Sequence, residues 1–169
     1  TSHPDFKFCA KFMGGSDPER LTKLRNYAAS LNLSEPCVSF SGPQNIDEVA
    51  RNMQMADALV LFSRKENFPC VIGEAWATGV PVISTDVGGI SEHLTENSGR
   101  GILIPNEDEN ALRAALLQLG TDANIDAGEI RKYAVDHFSV EAVSNAYDKV
   151  YREALLERQS NDGDTSEVL

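Results

Sequence analysis

"ADALVLFSRKENFPCVIGEAWATGVPVIST", residues Ala56 to Thr85, is the stretch from which the fold is read. Its opening, Ala56 to Ser63, is nearly continuous in apolar residues, the pattern of a parallel strand covered on both faces, and a central place in a sheet is expected for it. Val71 to Thr78 reads as a helix that stops at Gly79. Val80 to Thr85 is a strand again, with Pro81 at its start, where a missing backbone donor does least harm. Strand, helix and strand joined this tightly are the rhythm of a parallel sheet built by right-handed crossovers.

The same rhythm extends outward in both directions. Upstream, "FKFCAKFMGG" (Phe6 to Gly15) is a strand ending on glycines, and a helix follows over Asp17 to Leu33, with Asp17 as its cap and Pro18 in its first turn. "CVSFSG" (Cys37 to Gly42) is a strand, and Asn45 to Ala56 places Ile46, Val49, Met53 and Ala56 at helical spacing. Downstream, a turn and short helix over Asp86 to Leu94 lead to the strand Gly101 to Pro105, then to helices over Asn106 to Gly120, Ile125 to His137 and Val140 to about Arg158. The expected fold class is α/β: a Rossmann-like parallel sheet with helices on both faces, one domain over residues 1–158 and a disordered acidic tail over 159–169. Ligands of such sheets bind at the carboxyl ends of the strands, here Gly14 and Gly15, Ser41 to Gln44, Ser63 to Cys70, and Asp86 to Ile90.

A net charge of -11 argues against nucleic acid or an anionic membrane as main partner, because neutralising phosphates takes a basic patch. The three cysteines are an odd and scattered set, so no disulfide framework or zinc pair is expected, and Cys9 and Cys37 read as small buried hydrophobes. No apolar run is long enough to cross a bilayer, and a cytoplasmic protein, or the cytoplasmic part of a larger one, is expected.

Several chemistries lack their motif. The only G-x-G, Gly99-Arg100-Gly101, precedes a strand rather than a helix, which disfavours a dinucleotide cofactor, and no Walker sequence or G-x-S-x-G elbow occurs. A phosphoacceptor aspartate is missing where the third strand ends in Phe62-Ser63. Asp162-Gly163-Asp164 has the form of a cation-holding pair but lies in the tail, so no metal is assigned, and His93 is expected to face solvent on its short helix.

Glu66 and Glu74 flank the start of the helix at Val71. A carboxylate accepts hydrogen bonds without donating and can hold two neighbouring hydroxyls, while the amides of Cys70, Val71 and Ile72 at a helix tip favour an anion such as a diphosphate. One acid on each side of such a site suits a ligand built as sugar, diphosphate, ribose and base. On spacing alone an equal reading is a surface pair, with Glu66 bound to Arg64 or Lys65. Val71, Ile72 and Trp76 read as core.

In order and context, "SRKENFPCVIGEAWATGVPVISTDVGGISEHL" (Ser63 to Leu94) resembles the retaining GT-B glycosyltransferases of the group 1, family 4-like type, with their Glu, seven residues, Glu signature. Glu66, Phe68, Glu74, Ala75, Ala77, Gly79, Pro81, Val82, Gly88, Gly89 and Glu92 match the pattern, and weaker likeness spans nearly the whole chain except its tail. Pro69 departs from it, standing where many members have glycine.

The resemblance implies the C-terminal donor-binding half of a two-domain enzyme, a hexosyltransferase of the kind used in polysaccharide biosynthesis. It makes Glu66 the candidate catalytic residue and a contact of the donor sugar, and Glu74 a contact of the ribose diol. Asn67, Phe68, Pro69, Cys70 and Val71 would line the diphosphate or sugar, and Ser41, Gly42, Pro43 and Gln44 the base. The implied ligand is a UDP- or GDP-linked sugar used as substrate, with no cofactor and no metal. The implied acceptor is a glycan or lipid-linked molecule held by an N-terminal domain outside this chain, which would also bring the protein to the inner membrane. The basic residues that members place ahead of the first strand seen here are missing, so the chain is expected to be a fragment, inactive alone. Two other readings are open: a sugar-nucleotide epimerase of the same architecture, and a non-catalytic nucleotide-sugar-binding domain.

Overall fold

A computed structural model describes residues 8–15, 17–33, 35–121 and 125–163. Its elements in chain order are β1 (Ala10–Met13), α1 (Pro18–Ser30), β2 (Val38–Ser41), α2 (Ile46–Gln54), β3 (Leu59–Leu61), α3 (Cys70–Ala77), β4 (Val82–Thr85), a 3-10 turn (Ile90–Glu92), β5 (Gly101–Ile104), α4 (Glu109–Thr121), α5 (Ala127–Phe138) and α6 (Val140–Gly163). Each expected strand and helix is present, and every strand pairing is parallel.

The strand from "VPVIST" is the centre of the fold. β4 pairs with β3 on one side and β5 on the other, and all four of its residues are buried. Successive side chains of a strand point to opposite faces. Val82 accordingly packs with Ile72, Ala75 and Trp76 of α3 and Ile130 and Ala134 of α5, while Ile83 packs with Ala115 of α4 and Ile104 of β5. Helices thus cover both faces of this sheet.

Two expectations about the sheet are corrected. The strands form a two-stranded ladder, β1-β2, and a separate three-stranded one, β3-β4-β5. Among the described residues β3 is therefore an edge strand rather than a central one: Val60 is 42% exposed, and Phe62, just past the strand, 38%. Its apolar run misleads because hydrophobicity reports a wish to be covered, whereas position depends on which strands are neighbours.

Helix boundaries follow local chemistry. Asp17 caps α1 through the Glu19 N–H (2.9 Å), with Pro18 at the first position as expected. Asn45 accepts from the Glu48 N–H (2.9 Å) and Glu48 answers at the Asn45 N–H (3.4 Å), a capping box that starts α2. α3 ends where Gly79 takes a left-handed φ of 81°, and the Gly79 N–H returns to the Trp76 carbonyl (2.9 Å).

All three cysteines are free and exposed, which corrects the expected burial of Cys9 and Cys37: each lies just ahead of a strand in the two-stranded ladder. α6 runs to Gly163, past the boundary expected at Arg158, so the first part of the supposed disordered tail is helical. The rest of that tail, Asp164 included, lies outside the described residues. Among the described residues no helix is long and apolar enough to cross a membrane.

Candidate functional site

Parallel pairing brings the exit loops of neighbouring strands to one end of each ladder. Leu61 lies beside Ser84 and Thr85 beside Ile104, so Ser63 to Cys70, Asp86 to Gly89 and the turn after Ile104 share an edge. The loop bearing Glu66 is fixed there by backbone. The Gly89 N–H donates to the Asn67 carbonyl (2.7 Å). Gly88, at φ 61°, lies so close that a Cβ there would overlap the carbonyl oxygens of Glu66 and Asn67 and come within 2.8 Å of the Glu66 carbonyl carbon.

Glu66 is half-buried, and its carboxylate makes no hydrogen bond or ion pair among the described residues. Arg64 does not hold it. The Arg64 guanidinium is turned to Glu107 instead (Nε to Oε1, 2.6 Å), which removes the reading of Glu66 as one half of an Arg64 surface pair. Glu74, on α3, is exposed and its carboxylate is likewise without a partner among the described residues.

The start of α3 offers fewer amides than the sequence suggests. Pro69 is its cap residue and has no N–H, and no side chain caps the helix. The Pro69 carbonyl accepts the Ile72 N–H (3.0 Å), so Ile72, named above as an anion donor, is already satisfied. The Cys70 and Val71 N–H groups remain, at the positive end of the helix dipole. Val71 is half-buried, whereas Ile72 and Trp76 are fully buried, so the core reading of those two holds.

A cleft of about 320 Å³ opens beside this loop, lined by Asn67, Phe68, Gly88, Gly89, Glu92 and His93. That volume is at the lower end for small-ligand sites, about 300 to 1,000 Å³. Neither Glu66 nor Glu74 lines it. His93 corrects the expectation of a solvent-facing residue. It is half-buried, its ring lies 4.9 Å from both Phe68 and Phe138, and its Nδ1 is 2.9 Å from the Tyr133 hydroxyl.

Burial, chiefly, pushes the His93 pKa below the ordinary 6.5; nearby His137 and Arg100 act the same way, and Glu92 opposes them. Arg100 lies 3.5 Å over the Tyr133 ring and donates to the His93 carbonyl (2.6 Å). The aromatic group draws Phe68 from the loop ahead of α3, His93 from the end of the 3-10 turn and Tyr133 and Phe138 from α5, a meeting that sequence spacing does not reveal. The G-G-x-x-E run was the only sequence signal for this side of the site.

The remaining expected residues sit on the other ladder. Met13 lies beside Ser41, and the Gly14 N–H donates to the Gly42 carbonyl (2.8 Å), joining Gly14 and Gly15 to Ser41 to Gln44 at one strand end. The Gln44 amide folds back on the Ser41 and Pro43 carbonyls (3.2 and 3.1 Å). Among the hydrogen bonds of the described residues, none joins Ser41 to Gln44 with the Glu66 loop. No group of three or more His, Cys, Asp or Glu side chains among the described residues is placed to hold a metal ion.

Comparison with known proteins places the chain in a family. The family described as glycosyl transferases group 1 matches residues 4–122. The N-acetyl-alpha-D-glucosaminyl L-malate synthase of Bacillus anthracis is 34% identical over 144 residues, covering 83% of this chain and 36% of that protein. Sucrose-phosphate synthase from Thermosynechococcus elongatus superposes with a TM-score of 0.73 at 28% identity, over 87% of this chain and 38% of the other. Anabaena HepE, solved in complex with UDP-glucose, has a TM-score of 0.72 at 21% identity, over 86% of this chain and 41% of its own, a likeness of fold. The chain thus spans well under half the length of these proteins. It belongs to the glycosyl transferases group 1 family, with the architecture of the C-terminal domain of a GT-B glycosyltransferase.

Proposed function

We propose that this chain is the donor-binding half of a retaining hexosyltransferase that uses a UDP- or GDP-linked sugar. One observation carries the reading: the Ser63 to Cys70 loop has carbonyls bound by distant groups, while the Glu66 carboxylate and the Cys70 and Val71 amides at the tip of α3 have no partner among the described residues. Polar groups held in place but unsatisfied are what a ligand site needs. UDP-glucose, the molecule bound to HepE, is the chemical class of ligand inferred here.

In this reading Glu66 accepts from hydroxyls of the donor sugar and Glu74 from the ribose diol, while the two amides face the diphosphate, with Asn67 and Phe68 beside the sugar. The bond from the anomeric carbon to the diphosphate oxygen breaks, and a bond to an acceptor hydroxyl forms on the same face. The acceptor proton leaves with the diphosphate. Ser41, Gly42, Pro43 and Gln44 lie beside the base. The acceptor, a glycan or a lipid-linked molecule, binds to a part of the protein outside this chain, and a lipid-linked one would bring a cytoplasmic enzyme to the inner membrane. No divalent cation is required.

The test uses the full-length protein. A panel of UDP- and GDP-linked hexoses, read by thermal shift, is expected to yield one donor that stabilises it. Glu74→Ala is expected to weaken that donor about tenfold or more while the unliganded melting temperature stays unchanged, and a chelator is expected to leave transfer intact. Unchanged donor affinity in Glu74→Ala removes Glu74 from the site.

A further inference from the structure

The loop that carries Glu66 is held from two strands at once, and none of the holding groups has a role in the reading above. From the end of β4, the buried Thr85 hydroxyl donates to the Ser63 carbonyl, the Gly88 Cα packs against the Glu66 carbonyl, and the Gly89 N–H donates to the Asn67 carbonyl. From beyond β5, Asn106 Nδ2 donates to the Arg64 carbonyl (3.3 Å), and Glu107 binds the Arg64 guanidinium (2.6 Å). Glu107 takes a left-handed φ of 58°, a conformation that costs a non-glycine residue energy and persists only where surroundings hold it.

Three carbonyls between Ser63 and Asn67 are therefore satisfied by groups distant in sequence, in a segment with no helix or strand of its own. The Glu66 side chain is left out of every one of these bonds. Backbone fixed on several sides with a free carboxylate at its centre is the arrangement that holds a group ready for a ligand, since an acid displaced by about 1 Å can cost about a hundredfold in rate.

We propose that Thr85, Gly88 and Asn106 are positioning residues for Glu66: they set the place of its carboxylate relative to the tip of α3 by holding the Ser63 to Asn67 backbone. The proposal rests on the reading of Glu66 as a contact of the donor sugar. It adds to the site a residue at the end of β4 and residues from the turns that follow β4 and β5. It also accounts for Gly88, because any side chain there would drive the Glu66 carbonyl away.

The experiment compares variants of the full-length protein, using the nucleotide sugar that gives the largest shift in the hexose panel, with donor affinity and the rate of its hydrolysis by water as readouts. Thr85→Val keeps the shape of the buried side chain and removes the hydroxyl, and Thr85→Ser keeps the hydroxyl. Thr85→Val and Gly88→Ala are expected to lower hydrolysis about 10- to 100-fold, and Thr85→Ser to stay within about twofold of the parent. In a Glu66→Gln background, adding Thr85→Val is expected to change the rate by less than about twofold, because a displaced loop no longer carries the acid.

Equal losses from Thr85→Val with and without Glu66 assign the hydroxyl a structural role only and overturn the proposal, as does full hydrolysis in both Thr85→Val and Gly88→Ala. A Glu66→Gln protein with undiminished donor affinity and hydrolysis overturns the reading of Glu66 itself, a result seen before any positioning variant is made. Where Gly88→Ala does not fold, Asn106→Ala, at an exposed hydrogen bond, makes the same comparison with Thr85→Val.

Discussion

Pro69 and His93 carry the residue-scale lesson. The carbonyl of Pro69, at the cap of α3, occupies the Ile72 N–H, so a helix tip that reads as a three-amide anion site offers the Cys70 and Val71 N–H groups. Burial, chiefly, pushes the His93 pKa below its ordinary value, His137 and Arg100 act the same way, Glu92 opposes them, and the Arg100 guanidinium donates to the His93 carbonyl. A histidine whose folded pKa lies below its unfolded value of 6.5 takes up a proton more readily when unfolded, so stability is highest above that pH and falls as pH drops through 6.5 toward the folded pKa. His93→Phe is expected to flatten this part of the profile, read as a smaller change in denaturation midpoint between about pH 5 and 7.5 than in the parent. An unchanged slope would place the titration elsewhere.

Among elements, α3 has two duties that its sequence displays on different faces. Ile72, Ala75 and Trp76 are fully buried against β4 and α5, while Glu74 is exposed. Trp76 also donates its indole N–H to the Arg100 carbonyl (3.0 Å) and meets Tyr133 edge-on at 5.7 Å, so it ties the helix to both the β5 approach and α5. Trp76→Ala is expected to cost about 3 to 5 kcal/mol, measured by denaturant unfolding, and to weaken donor binding as α3 loosens. The boundaries of this helix were legible to within a residue, because a stop glycine and an apolar face are local signals. The identity of its partners was not: α5 lies far along the chain, and nothing in the spacing of Val71 to Thr78 names Ile130 or Ala134.

At the scale of the whole molecule the sheet is interrupted. β1-β2 and β3-β4-β5 are separate ladders, and large apolar side chains stand exposed on both, Phe12 at 55% and Val60 at 42%. A further apolar stripe on α6, formed by Val143, Tyr147, Tyr151 and Leu155, is exposed as well. Parallel sheets are ordinarily covered on both faces, and exposed strands with apolar side chains are association sites. The isolated 169-residue chain is therefore expected to self-associate in sedimentation velocity, and Phe12→Lys with Val60→Lys to shift it toward monomer. A parent chain that sediments as a monomer would contradict the expectation. The same partial span, 36% of the Bacillus anthracis relative, is why sugar transfer is sought in the full-length protein.

Local patterning determined the order and type of the elements, the cap at Asp17 and the parallel class of the sheet, and the run from Ser63 to Leu94 is where the family resemblance was read. These depend on period, capping and turn chemistry within a few residues, which a sequence displays directly. Tertiary structure alone decided that β4 and not β3 is central, that Thr85 reaches a carbonyl 22 residues away, that Gly88 lies against Glu66, and that His93 meets a tyrosine 40 residues on. Such contacts depend on which strands become neighbours and how closely their exit loops approach, quantities set by the packing of the whole chain and written in no single segment of it.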